Sequence, residues 1–298
     1  MTVHPADAGE QGEQEEVTRG SSAPAEVAAV LGAVRDDVRQ TLRTGWLDPG
    51  VEAVANYPVF FTAAWSAIRP NVGKSFLALA RRIRSDATDV LRVRFDLPDL
   101  RKRLDGDLSE GEIRRIEEST RAAHLATAKA QIVVHALYRS VRKERISGTG
   151  REEPPIRRGV PEWQRWMSFQ TASQDVPPIL AQVVNEMALP TPPVPLRLLA
   201  RWPSALARVW DELGPIARSE AWKSGASRLR RIVLAGMTTL PHPVELQWAA
   251  LRARGFTEEE RMELTGILAA HDSAMPVQTL ASAFTWMAFG APEIGVEG

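Results

Sequence analysis

Cysteine is absent from the 298 residues, which excludes disulfides, thiolate zinc, iron–sulfur clusters and cysteine nucleophiles together. A chain without thiols suits a reducing compartment, so a cytoplasmic location is expected. Charge of one sign is lacking too: 37 Lys and Arg offset 37 Asp and Glu. That balance argues against a nucleic-acid surface or a membrane-binding patch. No run of about 18 apolar residues is present, so no helix is expected to span a membrane. The first residues, acidic at Glu10, Glu13, Glu15 and Glu16, lack the order of a secretory signal. Sustained apolar/polar alternation with Asn-Gly or Asp-Gly turns is missing as well, and the one strand-like run is Leu91–Phe95.

Helical periodicity fills the rest. Residues 77–84 and 113–142 carry apolar positions at three- and four-residue spacings. Ser109 with Glu112 and Thr257 with Glu260 have the spacing of capping boxes, which mark helix starts. Residues 1–24 read as a disordered polar tail. Between 144 and 177 the periodicity breaks at Gly148, Gly150, Pro154, Pro155, Gly159, Pro161, Pro177 and Pro178. Trp163, Trp166 and Phe169 interrupt this linker, so it is expected to pack on the body. Residues 293–298 form a second tail.

A linker at mid-chain invites a search for duplication. Tyr57-Pro58, Trp65 and Pro70 recur as Trp202-Pro203, Trp210 and Pro215 at an offset of 145 residues (57 to 202). Leu108-Ser109-Glu110-Gly111-Glu112 answers Phe256-Thr257-Glu258-Glu259-Glu260 at an offset of 148 (108 to 256). Ala122-Ala123-His124 answers Ala269-Ala270-His271 at 147 (124 to 271). The expected fold is all-α, with two tandem helical repeats, 25–143 and 178–292, packed as a pseudo-dimer around a central cleft. Such a cleft is a usual place for a small-molecule site.

The strings Thr41-Leu42-Arg43-Thr44-Gly45-Trp46, Ala55-Asn56-Tyr57-Pro58 and Trp65 resemble the first repeat of the group I 2-haloacid dehalogenases. Leu199-Ala200-Arg201-Trp202-Pro203, Gly214 to Glu220 and Leu264 to Leu268 resemble the second. The resemblance implies an all-α, two-repeat fold, a homodimer, and an active site between the repeats. There an aspartate activates water to displace halide from a small 2-halo acid without a covalent intermediate. That aspartate lies seven residues before the second Trp-Pro, where this sequence has Pro195, which cannot accept a proton. Val194 stands in place of the neighbouring serine, and Pro49 in place of a pocket phenylalanine. Trp46 matches a pocket tryptophan. His124 and His271 fall where the family has a pocket asparagine and tyrosine.

The chemistry therefore has to come from other groups. If the pseudo-twofold packing holds, His124 and His271 could flank one pocket, and imidazole suits proton transfer near neutrality. Asp272 and Asp48 are the candidate carboxylates; Asp48, before Pro49-Gly50, is also a good turn residue. Trp46, Thr127, Pro195 and Met275 complete the candidate pocket. His124 and His135 are roughly 16 Å apart along one helix, too far to share an ion. No metal or cofactor is expected. Gly73-Lys74-Ser75 imitates the end of a phosphate loop, but Ile68 stands where its first glycine is required. Arg228, Arg230 and Arg231 read as a solvated helix face. The function expected is a dehalogenase-like hydrolase with altered acid–base residues, not a conventional 2-haloacid dehalogenase, acting on a small polar substrate. The alternative is a non-catalytic binding or interaction protein on the same scaffold.

Overall fold

The computed structural model describes residues 25–154 and 178–290. The two tails and the linker aromatics Trp163, Trp166 and Phe169 lie outside the described residues, as does most of the expected linker. All regular elements among the described residues are helical, and β pairing is confined to the isolated bridges Asp105–Leu108 and Ile146–Val244. The protein is all-α.

The first half runs α1 (Ala25–Leu42), α2 (Pro49–Val54), α3 (Pro58–Ile68), a 3-10 turn at Arg69–Asn71, α4 (Lys74–Arg94), α5 (Leu100–Arg103) and α6 (Glu110–Val141). The second runs α7 (Pro178–Met187), α8 (Val194–Leu199), α9 (Pro203–Ala217), α10 (Glu220–Met237), α11 (Trp248–Ala253) and α12 (Glu258–Ala288). Local signals set several of these boundaries. At α6, the Ser109 hydroxyl accepts from Glu112 N at 3.3 Å while the Glu112 carboxylate accepts from Ser109 N at 2.9 Å. Thr257 and Glu260 make the same reciprocal pair at α12, at 3.1 and 2.7 Å. Pro58 and Pro203 occupy the first helical position of α3 and α9, where a missing N–H costs nothing.

The one strand-like run of the sequence is helical, in keeping with the all-α expectation. Leu91–Arg94 is the last turn of α4, and Phe95 N donates to Leu91 O at 3.0 Å. The run looked like a strand because Leu91, Val93 and Phe95 alternate, but the helix keeps Leu91 fully buried and leaves Val93 77% exposed. A short apolar run cannot separate the two periods.

The long helices α6 and α12 lie antiparallel at the centre. Thr127 pairs with Ser282 at 3.0 Å, Gln131 with Thr279 at 2.8 Å, and His135 with Asp272 at 2.8 Å. Numbers rise along one helix as they fall along the other. On one side Leu280 of α12 meets Gly225 of α10, and α4 packs alongside. On the opposite side His271 meets Gly50 of α2, with α8 beside it. The seam is therefore walled by a helix from each half on both sides.

The segment after α6 clasps the second half. Ile146 and Val244 exchange backbone hydrogen bonds at 3.1 and 3.0 Å, and Thr149 N donates to Leu240 O at 2.8 Å. Gly148 lies so close to the His242–Pro243 backbone that a Cβ would stand 2.4 Å from the His242 carbonyl carbon. Glu153 then reaches the start of α4, where its carboxylate accepts from Ser75 N at 2.9 Å and from the Ser75 hydroxyl. The helix terminus at Gly73-Lys74-Ser75 thus holds an internal carboxylate.

Candidate functional site

Between α1, α2, α6 and α8 lies a small, partly open pocket. Trp46, Asp48, Ala126, Thr127 and Val194 are on its wall. The loop that carries Trp46 and Asp48 is fixed by its own chemistry. Arg43 ends α1 in the left-handed region at φ 55°, and Thr44 N donates back to Arg39 O at 2.9 Å. Lys129, buried in α6, donates its ammonium to Leu42 O at 3.1 Å and so places a cation at the carbonyl end of α1. The Thr44 hydroxyl donates to Trp46 O at 2.9 Å. Trp46 then packs with Ala122, Ala123, Ala126, Val194 and Leu198, a wall of short side chains.

Asp48 is the N-cap of α2: its Oδ1 accepts from Gly50 N at 2.9 Å. Its Oδ2 is buried and has no partner. Burial pushes the carboxyl up to about 6, against the opposing pull of the Gly50 N–H and the Arg197 guanidinium. Gly50 is needed by close approach. A Cβ there would lie 3.0 Å from His271 Cβ and Cγ and 3.2 Å from Asp48 Oδ1, so both side chains pack against Gly50. His271 Nδ1 is buried without a partner, and burial holds the imidazole below its ordinary pKa.

The other expected residues sit elsewhere. His124 stacks on Trp286, ring centroids 4.7 Å apart and 5° from parallel. Burial, aided by the Arg84 cation, drives His124 down to about 3, so it stays neutral. Trp286 is fifteen residues beyond His271 on α12, roughly 22 Å along the axis. His124 and His271 therefore do not flank one pocket. The antiparallel register puts these two equivalent positions toward opposite ends of the seam. Asp272 is taken by His135, with Arg230 3.6 Å from its other oxygen. Pro195 is buried in the first turn of α8, and it is its neighbour Val194 that reaches the pocket wall. Met275 is fully buried in the main core. Of the eight expected residues, Trp46, Asp48 and Thr127 line the pocket and His271 adjoins it through Gly50. Among the described residues no cluster of three or more His, Asp or Glu could hold a metal ion, and no helix is long and apolar enough to cross a membrane.

The pocket at this helix junction is lined by apolar side chains apart from Trp46, the Asp48 carboxylate and the hydroxyls of Thr44 and Thr127. Comparison with known proteins gives the all-α scaffold a lineage. The chain is 26% identical over 257 residues to a configuration-inverting 2-haloacid dehalogenase of Alcaligenes xylosoxydans xylosoxydans, covering 82% of this chain and 84% of that one. It is 23% identical over 283 residues to the configuration-inverting enzyme of Pseudomonas sp. (strain 113), covering 90% of both. A crystallised D-2-haloacid dehalogenase in complex with L-LA superposes with a TM-score of 0.76 at 21% identity, over 90% of this chain and 93% of the other. No family model matches. The chain is a remote homologue of the group I 2-haloacid dehalogenases.

Proposed function

We propose that this dehalogenase-like hydrolase activates water with Asp48, assisted by His271, in the pocket beside Trp46 and Thr127. One observation carries the reading: Asp48 brings a buried, partnerless oxygen to the pocket wall and is poised to change charge near neutrality. A carboxyl near 6 is ionised often enough at pH 7 to take a proton, yet remains more basic than a surface aspartate. The substrate is a small carboxylic acid with a leaving group on carbon 2. The kinship with 2-haloacid dehalogenases supports this class, and the cation of Arg197, felt at Asp48, suits its anionic head. Water oxygen bonds to carbon 2 as the carbon–halogen bond breaks; halide leaves with the electron pair and the water proton passes to Asp48. His271, whose imidazole burial holds below its ordinary pKa and which packs on Gly50 as Asp48 does, relays that proton. Pro195, which has no proton acceptor, is the reason the role moves across the pocket.

Asp48→Asn keeps the N-cap and removes the base. Halide release from 2-chloro and 2-bromo acids, read by ion chromatography, should fall about 10²- to 10⁴-fold, and the wild-type kcat/KM should rise with pH through about 6. Unchanged halide release by the variant overturns the assignment. Pro195 also favours a second reading, a binding protein on the same scaffold; it predicts saturable binding of the acids with no halide released.

The wider architecture belongs to the same proposal. Two repeats, 25–143 and 178–292, are supported by the matched helix order from α2 to α6 and from α8 to α12. Residues 144–177 are then the linker between them. A cytoplasmic homodimer follows from the lack of cysteine and from the family resemblance.

A further inference from the structure

The chain has five lysines, and Lys74, Lys102, Lys143 and Lys223 are exposed while Lys129 is buried. An ammonium is a compact, strongly hydrated charge, so taking it out of water is costly. Lys129 stands where two walls of the Asp48 pocket meet. On α6 it is flanked by Ala126 and Ala130, both on the wall, and its Nζ donates at 3.1 Å to the carbonyl of Leu42, a wall residue at the end of α1. Arg43 follows in the left-handed region at φ 55°, a backbone that a side chain adopts at a steric cost glycine avoids. Beyond it Thr44, Trp46, Leu47 and Asp48 all line the pocket. The hydrogen bond therefore ties α6 to the point where the chain leaves α1 and enters the loop that carries Asp48.

We infer that Lys129 is a positioning residue of the pocket: its ammonium, held on the last carbonyl of α1, fixes the left-handed turn at Arg43 and with it the place of Asp48. The inference rests on the reading of Asp48 as the base. A cation at the carbonyl end of a helix is favoured by the helix dipole, and a side chain of the long central helix is a stiffer anchor than one within the loop. Without it the turn rests on the bond from Thr44 N to Arg39 O at 2.9 Å. The preference of Arg43 for right-handed backbone then draws α1 onward and carries Trp46 and Asp48 away from Ala126 and Thr127. A misplacement of about 1 Å at a reacting group costs about 10²-fold in rate.

Lys129→Met, which keeps the stem and removes the charge and the donor, tests it on the full chain. Hydrogen exchange read by mass spectrometry should be roughly tenfold faster over residues 44–50 and unchanged over α9. Halide release should lose about 10- to 100-fold in kcat with KM within about threefold. The kcat/KM inflection should move down from about 6 toward the 3.8 of an exposed aspartate, because a loosened loop admits water to the carboxyl. The Gly50 N–H, Arg197 and Glu52, which also act on Asp48, stay in place. Adding Arg43→Gly supplies the left-handed turn without strain and should recover most of the lost kcat. Lys129→Gln serves the same purpose should the methionine variant fail to fold. Unchanged loop exchange, undiminished turnover or no recovery by Arg43→Gly overturns the inference. So does an upward move of the inflection, which is what loss of a cation's direct field would produce. The two readings fail separately. If Asp48→Asn releases halide as fast as wild type, Asp48 is not the base, yet the loop exchange of Lys129→Met and its reversal by Arg43→Gly still decide whether Lys129 holds the loop.

Discussion

Two buried groups in this protein respond to pH in opposite directions, and the cause is the same loss of water. Asp48 has a folded-state pKa of about 6, above the 3.8 of an exposed aspartate. Its burial favours the protonated form, so its contribution to stability is complete below pH 4 and is lost as pH rises through about 6. Asp48→Asn should therefore raise the melting temperature at pH 7–8, by the equivalent of up to ~3 kcal/mol, and leave it unchanged near pH 4. Gain of stability with loss of turnover is the signature of a residue kept for chemistry. His124 has a folded-state pKa of about 3, below the ordinary 6.5. Its neutral stack on Trp286 is complete above 6.5 and weakens as pH falls toward 3. His124→Phe keeps an aromatic on Trp286 and cannot be protonated. Denaturant titrations from pH 7 to 4 should show the wild type losing stability relative to this variant, and parallel curves would refute the buried neutral ring. Asp48 could be picked from sequence as a turn-forming carboxylate beside Trp46, whereas the approach of His271 to Gly50 could not.

Helix boundaries were the most readable feature because the groups that set them lie within four residues of one another. The capping boxes of α6 and α12 and the proline starts of α3 and α9 need no distant contact. Ser109→Ala and Thr257→Ala should each cost about 1 kcal/mol, a drop in melting temperature of roughly 2–4 °C by calorimetry. The register between helices was not readable. Equivalent histidines in α6 and α12 suggested one shared pocket, yet the pairs Thr127–Ser282 and Gln131–Thr279 set an antiparallel slide that carries His124 to Trp286 and leaves His271 at α2. The strand-like look of Leu91–Phe95 has a related cause: five residues hold too few turns for helix and strand periods to diverge.

The seam of α6 and α12 joins the two halves of the chain, and α2, α8, α4 and α10 close over it. The clasp of residues 146–153 on Leu240, Val244 and Ser75 adds a second tie. A protease site engineered between residues 155 and 177 should, once cut, leave fragments that co-elute on gel filtration at neutral pH and separate only in denaturant. Separation without denaturant would mean that the seam does not hold the halves by itself. The sequence alone determined that the protein is helical, where most of its helices begin, and which family it resembles, because periodicity, caps and motif spacing are local properties of a chain. Tertiary structure alone decided that Asp48 and His271 both pack on Gly50, and that His124 belongs to Trp286 and Asp272 to His135. Those pairings depend on how far one long helix slides along another, and that is settled by packing between residues more than a hundred positions apart.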